Sequence, residues 1–238
     1  MIAGVDVALV RADNPGPLTL SGTNTWVFGR DPCWVVDPGP ALEDHLDAVA
    51  HAVALRGGAG GIALTHDHVD HVEGLAGLLA RLGDGVPVAR TGRLGPLRAL
   101  PVPGHSTDSV VWIAGAVAFS GDSVLGEGSV FVAGQLGEYL TALANLRSLG
   151  LSLLLPGHGD PVVDPQERIA ALIAHRLERE QRLLAALDGG ARTVDALLDA
   201  AWSDAPPALR PAAALSLSAH LGKLEREGRL PDGVQLPG

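Results

Sequence analysis

The chain is predicted to be an α+β protein: a sandwich of two β-sheets flanked by helices, followed by a small helical extension. Three observations carry that expectation. Short apolar runs of strand length recur, each ending in a turn marked by glycine or proline. Stretches with helical spacing alternate with them, and 238 residues at 47% hydrophobic composition supply one sizeable core. Aromatics make up only 3%, with Gly 31 and Pro 17, so the core must be built mostly from Ala, Val and Leu and the connections from tight turns.

Val5-Asp6-Val7-Ala8-Leu9-Val10 reads as an opening strand, and Asn14-Pro15-Gly16-Pro17 as a rigid loop placed to rim a site. Residues 25–29 and 33–37 form a hairpin across Arg30-Asp31-Pro32, closed by Asp37-Pro38-Gly39. Residues 42–55 have helical spacing, with Leu42, Leu46, Val49 and Val53 as the apolar stripe. His45 and His51 lie on this helix away from any glycine turn, which marks them as surface or structural histidines. Gly61-Ile62-Ala63-Leu64 is a short buried strand, and residues 72–79 a helix.

Strands follow at 86–89 and 98–100, then a hairpin of 110–113 with 117–119 across Ala114-Gly115-Ala116. Residues 138–149 read as a helix, 151–155 as a strand, and 165–187 as a long helix with Pro165 in its first turn. Gly189-Gly190 breaks the chain. Thr193 caps a helix running to Ala200, Pro211 opens another reaching about Glu227, and residues 228–236 are expected to form a small wing.

Formal net charge is −10 and unevenly divided: residues 1–174 carry 9 basic against 18 acidic groups, residues 175–238 carry 8 against 9. That balance argues against nonspecific binding of duplex nucleic acid, which relies on basic surface. A short single strand gripped at one site is still compatible with it. The single Cys33 has no internal disulfide partner, and the N-terminal residues lack the basic and apolar regions of a secretory signal. A reducing cytoplasm is the expected location. No apolar stretch approaches the roughly 18 residues a membrane helix needs.

The stretch Thr65-His66-Asp67-His68-Val69-Asp70-His71 sits between the apolar strand and the helix that follows it. Imidazole nitrogens and carboxylates are the donors a borderline ion such as zinc accepts, and a strand-to-helix turn aims several short side chains at one point. His66 and His68 are placed to meet one ion, Asp70 and His71 a second. Further donors follow glycine-marked strand ends: His105 after Pro103-Gly104, Asp122 after Gly121, and His158 after Pro156-Gly157.

At these residues the chain resembles the metallo-β-lactamase superfamily, whose pattern is HxHxDH followed by a distant His, a bridging Asp and a final His. The resemblance implies an αββα sandwich. It puts His66, His68 and His105 on the first metal, Asp70, His71 and His158 on the second, and Asp122 between them. Antibiotic-hydrolysing members usually carry Cys where this chain has Asp122, so antibiotic hydrolysis is not expected. Asp37 matches the aspartate that supports the metal loop in the family, by accepting from the free ring nitrogen of a ligand histidine.

Within the superfamily the chain is similar to the lactamase-beta-like 2 group. Gly22-Thr23-Asn24-Thr25 resembles its GTNT signature, Phe119-Ser120-Gly121-Asp122-Ser123-Val124-Leu125-Gly126 its FSGD-x-x-LG segment, and Pro156-Gly157-His158-Gly159 its PGHG turn. His175-Arg176 and residues 221–228 look like its winged-helix-like tail. This divides the chain into a catalytic domain, 1–174, and an extension, 175–238. With net charge −1 over the extension, packing or homodimer formation is expected of it in preference to DNA binding. His220, in this tail, is either a substrate contact or a helix histidine with a local partner.

The function implied is a dinuclear hydrolase holding two Zn2+ ions, although iron and manganese accept the same donors. Two ions roughly 3.5–4 Å apart share a water and bring its pKa toward neutrality. The hydroxide is expected beside Asp122, oriented by Asp70, with backbone donors of Pro103-Gly104-His105-Ser106 as oxyanion contacts and Gly126-Glu127-Gly128 as a loop over the site. Small or flexible substrates are expected, chiefly acyl thioesters or esters. The rivals are cleavage of single-stranded RNA, for which Trp26, Trp34, Trp112 and Trp202 offer indole faces, and a noncatalytic metal-containing binding module. Ser120 and Ser123 lack the GxSxG context of a serine nucleophile.

Overall fold

Side chains alternate across a strand, so each strand of a covered sheet feeds two cores, and this alternation sets the layers. The computed structural model describes residues 2–83, 85–132 and 135–237. One sheet runs β1 (Val7–Arg11), β2 (Asn24–Phe28), β3 (Cys33–Val36), β4 (Ala59–Ala63), β5 (Val88–Ala89), with β1 to β3 antiparallel and β3 to β5 parallel. The other runs β10 (Leu153–Pro156), β9 (Val117–Gly121), β8 (Val110–Ala114), β7 (Leu97–Pro101), β6 (Arg93–Leu94) and is antiparallel except for β10 beside β9.

Trp26, Val36 and Ala63 point inward from the first sheet and meet Trp112, Phe119, Leu153 and Leu155 of the second. Their neighbours Val27, Val35 and Ile62 point the other way, onto Leu46, Val49 and Val53 of α1 (Glu43–Ala54) and Leu78 of α3 (Leu75–Leu82). On the far side, Val111, Ile113, Ala118 and Leu154 pack against α4 (Leu136–Ser148) and the first half of α5 (Pro165–Asp188). The order is helix, sheet, sheet, helix, the αββα sandwich expected.

Helix α5 starts where its sequence says, with Pro165 at the first position and the Asp164 side chain accepting from Glu167 N–H. Its second half joins another core. Leu183 and Leu187 pack with Leu197 and Leu198 of α6 (Val194–Ala201) and with Leu217, Leu221 and Leu224 of α7 (Arg210–Arg226). Thr193 caps α6 as expected. No helix among the described residues is long and apolar enough to cross a membrane.

Two sequence expectations need correction. The helix at 72–79 is broken into α2 (Val69–Val72) and α3, because Gly74 N–H is drawn to Gly39 O at 2.9 Å, where any Cβ would meet the carbonyls of Gly39 and Pro40. The expected wing forms no strands. Residues 228–237 are turns and coil, and Gln235 N–H donates instead to Arg192 O at 2.8 Å, folding the tail back over the start of α6.

Candidate metal centre

Strands β7, β9 and β10 run in one direction, so the residues following them emerge on one edge of the second sheet. Those residues include His105, Asp122 and His158. The turn after β4 brings His66, His68, Asp70 and His71 to the same place, and α2 turns Asp70 and His71 toward it. All seven predicted donors therefore converge. Ligand atoms of His66, His68, His105 and Asp122 lie within 4.8 Å of one another, as do those of Asp70, His71 and His158.

The contacts identify which atoms converge. His66 Nε2 and His105 Nε2 approach His68 Nδ1 at 3.0 and 2.9 Å. In the second group, Asp70 Oδ2 lies 3.5 Å from His71 Nε2 and 3.4 Å from His158 Nε2, which are 3.4 Å from each other. Asp122 spans both: its Oδ1 is 3.5 Å from His71 Nε2, and its Oδ2 is 3.4 Å from His158 Nε2 and 3.5 Å from His105 Nε2.

The opposite ring nitrogens are held from behind, which sets each imidazole's tautomer. Asp37 accepts from His71 Nδ1 at 2.8 Å, from Thr65 N–H at 2.8 Å and from the Thr65 hydroxyl at 2.7 Å. With its proton given to Asp37, the Thr65 oxygen accepts from His66 Nδ1 at 2.9 Å. His105 Nδ1 donates to Phe131 O at 3.3 Å. The supporting part played by Asp37 was legible in the sequence; that of Thr65 was not, since only the fold brings its hydroxyl between Asp37 and His66.

The GTNT stretch ties the site's two halves together. Thr23 donates its hydroxyl to Asp70 Oδ2 at 2.8 Å, and Asn24 binds Pro156 O and Gly159 O at 3.0 and 2.8 Å, bracing the turn that carries His158. Gly157 in that turn has a steric reason: a Cβ there would lie 2.5 Å from Asp122 Oδ1 and 2.6 Å from His71 Cε1. Asn14 reaches Thr23 by two hydrogen bonds, 3.0 and 2.9 Å, so the loop at 14–17 buttresses the rim.

Electrostatics favour a cation at this point. Burial acts to raise the Asp122 carboxyl, yet the imidazoles of His71 and His158 hold it well below the usual carboxylate range. Burial acts to lower His71, but Asp122 and Asp37 outweigh it and raise it well above the ordinary histidine value. His66, buried and beside His71, is pushed down to about 3, and burial lowers His105 too. Buried carboxylates thus draw positive charge to a place where the neutral imidazoles of His66 and His105 also converge. Among the described residues Asp122 Oδ1 has no hydrogen-bond partner. The donor set fits divalent metal ions.

The donors floor a cavity of about 460 Å³ whose walls include Leu18, Leu20, Leu125, Val130, Phe131 and Leu209. Pro17 and the Glu127-Gly128 turn also line it, as the rim and loop expectations required. Other expectations fall away. Gly104 N–H and Ser106 N–H are spent within their turn, on Ser106 O and Ser109 Oγ, which narrows the oxyanion expectation to His105. Trp26 is buried, its indole donating to Pro156 O at 2.9 Å; Trp112 and Trp202 are buried and Trp34 half-buried. His45 is buried against Thr25 and His51 is exposed, both apart from the donors. His220 is buried edge-on to Trp202 and does not line the cavity.

Fold and donor geometry together define a hydrolase of the metallo-β-lactamase class. A metallo-β-lactamase family protein of Thermus thermophilus superposes with a TM-score of 0.71 at 24% identity, over 93% of this chain and 94% of its own. A beta-lactamase-like protein 2 homolog of Drosophila melanogaster is 31% identical, over 91% of this chain and 87% of its own length. The chain belongs to that beta-lactamase-like protein 2 family of the metallo-β-lactamase superfamily. Residues 193–231 match the beta-lactamase associated winged helix domain, which assigns α6 and α7 to that domain type despite the strandless tail. An atrochrysone carboxyl ACP thioesterase of Aspergillus novofumigatus is 31% identical over 78% of this chain and 64% of its own length.

Proposed function

We propose that the chain is a dinuclear zinc-dependent hydrolase of acyl thioesters or related esters. The observation that carries this reading is Asp122 within 3.5 Å of donors from both groups, at the floor of a largely apolar-walled cavity. His66, His68 and His105 would hold one ion, Asp70, His71 and His158 the other, and Asp122 both. When bound, such ions supply a hydroxide at neutral pH and polarise the carbonyl under attack.

The chain's own groups do the rest. Asp122, held ionised, accepts hydrogen bonds and does not donate a proton. Asp70 has Oδ2 fixed by Thr23 and lines the cavity, positioned to orient an attacking water through its carboxylate. The leucine, valine and phenylalanine walls remove an acyl chain from water, at about 25 cal/mol per Å² buried. A relative named as a thioesterase, at 31% identity, supports the substrate class. RNA would ask for exposed stacking surfaces beside the donors, and three of the four indoles are buried. We retain the division at 174/175; it falls inside α5, whose two halves serve different cores.

The test is parallel hydrolysis by zinc-loaded protein of an acyl-thioester panel and single-stranded RNA, with Asp122→Ala as control. Thioester turnover lost in the variant is expected. RNA cleavage lost in the variant, with no thioester turnover, would replace this reading by the nuclease one.

A further inference from the structure

A second cavity, of about 420 Å³, lies beside the first, between α5, the loop at 128–131 and the segment leading into α7. The two share Gly128, Ser129 and Phe131 of that loop and Leu209 of the segment leading into α7, which together border both cavities. In a chain of formal net charge −10, this second cavity is lined by Arg168, His175, Arg176 and Arg179 against one carboxylate, Asp204.

That carboxylate is already taken. Asp204 accepts from Nη1 and Nη2 of Arg179 at 2.5 and 2.7 Å. Arg168 donates to the neutral carbonyls of Leu125 and Gly128. Arg176 is 2% exposed and donates to Val130 O, while its buried Nε has no partner among the described residues. Among the described residues no carboxylate pairs with it. His175 Nδ1, on the same wall, is also buried and has no partner among the described residues. A buried guanidinium lacking a counter-ion is costly, and its planar fork of donors matches the oxygens of a phosphate.

We propose that this cavity is an anion subsite taking the phosphate of a phosphopantetheine-linked thioester, whose acyl end enters the metal cavity across the shared loop. The inference rests on the thioester reading above and extends it to the far end of the substrate. A phosphopantetheine arm suits two cavities in series: its reacting carbonyl and its phosphate lie at opposite ends of a flexible chain. The arm is common to coenzyme A and to acylated carrier proteins. A contact made equally in the ground and transition states acts on KM alone.

The test uses one acyl group on three leaving groups: coenzyme A, a carrier protein and phosphate-free N-acetylcysteamine. Two variants of the full chain are compared with wild type. Ala171→Glu sets a carboxylate on an exposed residue of the cavity lining without disturbing the core, and Arg176→Lys removes the fork while keeping its charge. Both are expected to raise KM for phosphate-bearing thioesters about ten-fold or more relative to the N-acetylcysteamine thioester, and Ala171→Glu, on the exposed lining, to leave kcat and the N-acetylcysteamine thioester kinetics unchanged. An effect confined to coenzyme A or to the carrier supports the subsite and identifies its source. If Arg176 serves only to clamp the loop, its substitution changes all three substrates alike and Ala171→Glu changes none, which overturns the proposal.

A calorimetric titration with 4′-phosphopantetheine and with pantetheine separates this inference from the reading it rests on. Tighter binding of the phosphorylated compound, weakened in both variants, upholds the subsite even when no thioester is hydrolysed. Equal binding of the two compounds by wild type overturns it.

Discussion

Asp37→Asn is the most informative single substitution in the metal centre. Asp37 has φ +54°, a conformation asparagine adopts as readily as aspartate, so the backbone is preserved. One oxygen still accepts from Thr65 N–H. The other becomes an NH2 group facing the Thr65 hydroxyl, 2.7 Å away, and His71 Nδ1, 2.8 Å away. The hydroxyl adapts by rotating, at the expense of its bond to His66. His71 has no such freedom: facing a donor, it must move its proton to Nε2, the atom directed at the metal. Loss of such outer support typically costs 10–100-fold in metal affinity, or about 1.4–2.7 kcal/mol. Chelator competition with metal counted by mass spectrometry reads this directly, and circular dichroism checks the fold. A folded Asp37→Asn protein that holds metal as tightly as wild type would show that Asp37 only ends its strand.

Other substitutions test the surrounding structure. Thr23→Val removes the hydroxyl that fixes Asp70 and should lower kcat roughly ten-fold with unchanged circular dichroism; Thr23→Ser should restore it, and a Val variant at full rate would remove Thr23 from the site. Gly22→Ala places a Cβ 2.1 Å from Ala12 O at φ +122°, so the denaturation midpoint should fall by the equivalent of roughly 1–3 kcal/mol or more; an unchanged midpoint would mean that this turn relaxes freely. His220, lowered to about 3 by burial and then by Arg176 and Lys223, stays neutral in the fold while the unfolded chain takes up a proton near pH 6.5. Its contribution is complete above the unfolded value and is lost as pH falls toward 3, amounting to roughly 3 kcal/mol by about pH 4. Chemical denaturation across that range should show this slope in wild type and a flatter one in His220→Gln; parallel slopes would refute it.

Much of the fold was legible because local patterns and tertiary structure agree. Val35 and Val36, or Ala118 and Phe119, alternate between two cores, and a sequence rich in such pairs reads as strands covered on both faces. The metal donors were legible because each follows a strand and a turn, and their types leave few other chemistries. What stayed hidden depends on contacts between distant segments. The break between α2 and α3 arises from the approach of Gly39 to Gly74, and Trp26 turns inward because its indole finds Pro156 O across the sandwich. β6 is two residues long and defined only by its pairing with β7. The Thr23 to Asp70 bond joins residues 47 positions apart, so the GTNT signature suggested a family without disclosing its job.

The most direct test of the two-ion centre is a crystal of the purified protein measured above and below the zinc, iron and manganese absorption edges. Two anomalous peaks flanking the Asp122 carboxylate are expected, strongest across the zinc edge, with at least one lost in Asp122→Ala. A single peak, or none within reach of Asp122 in zinc-loaded protein, would contradict the assignment of the seven donors to a shared dinuclear site.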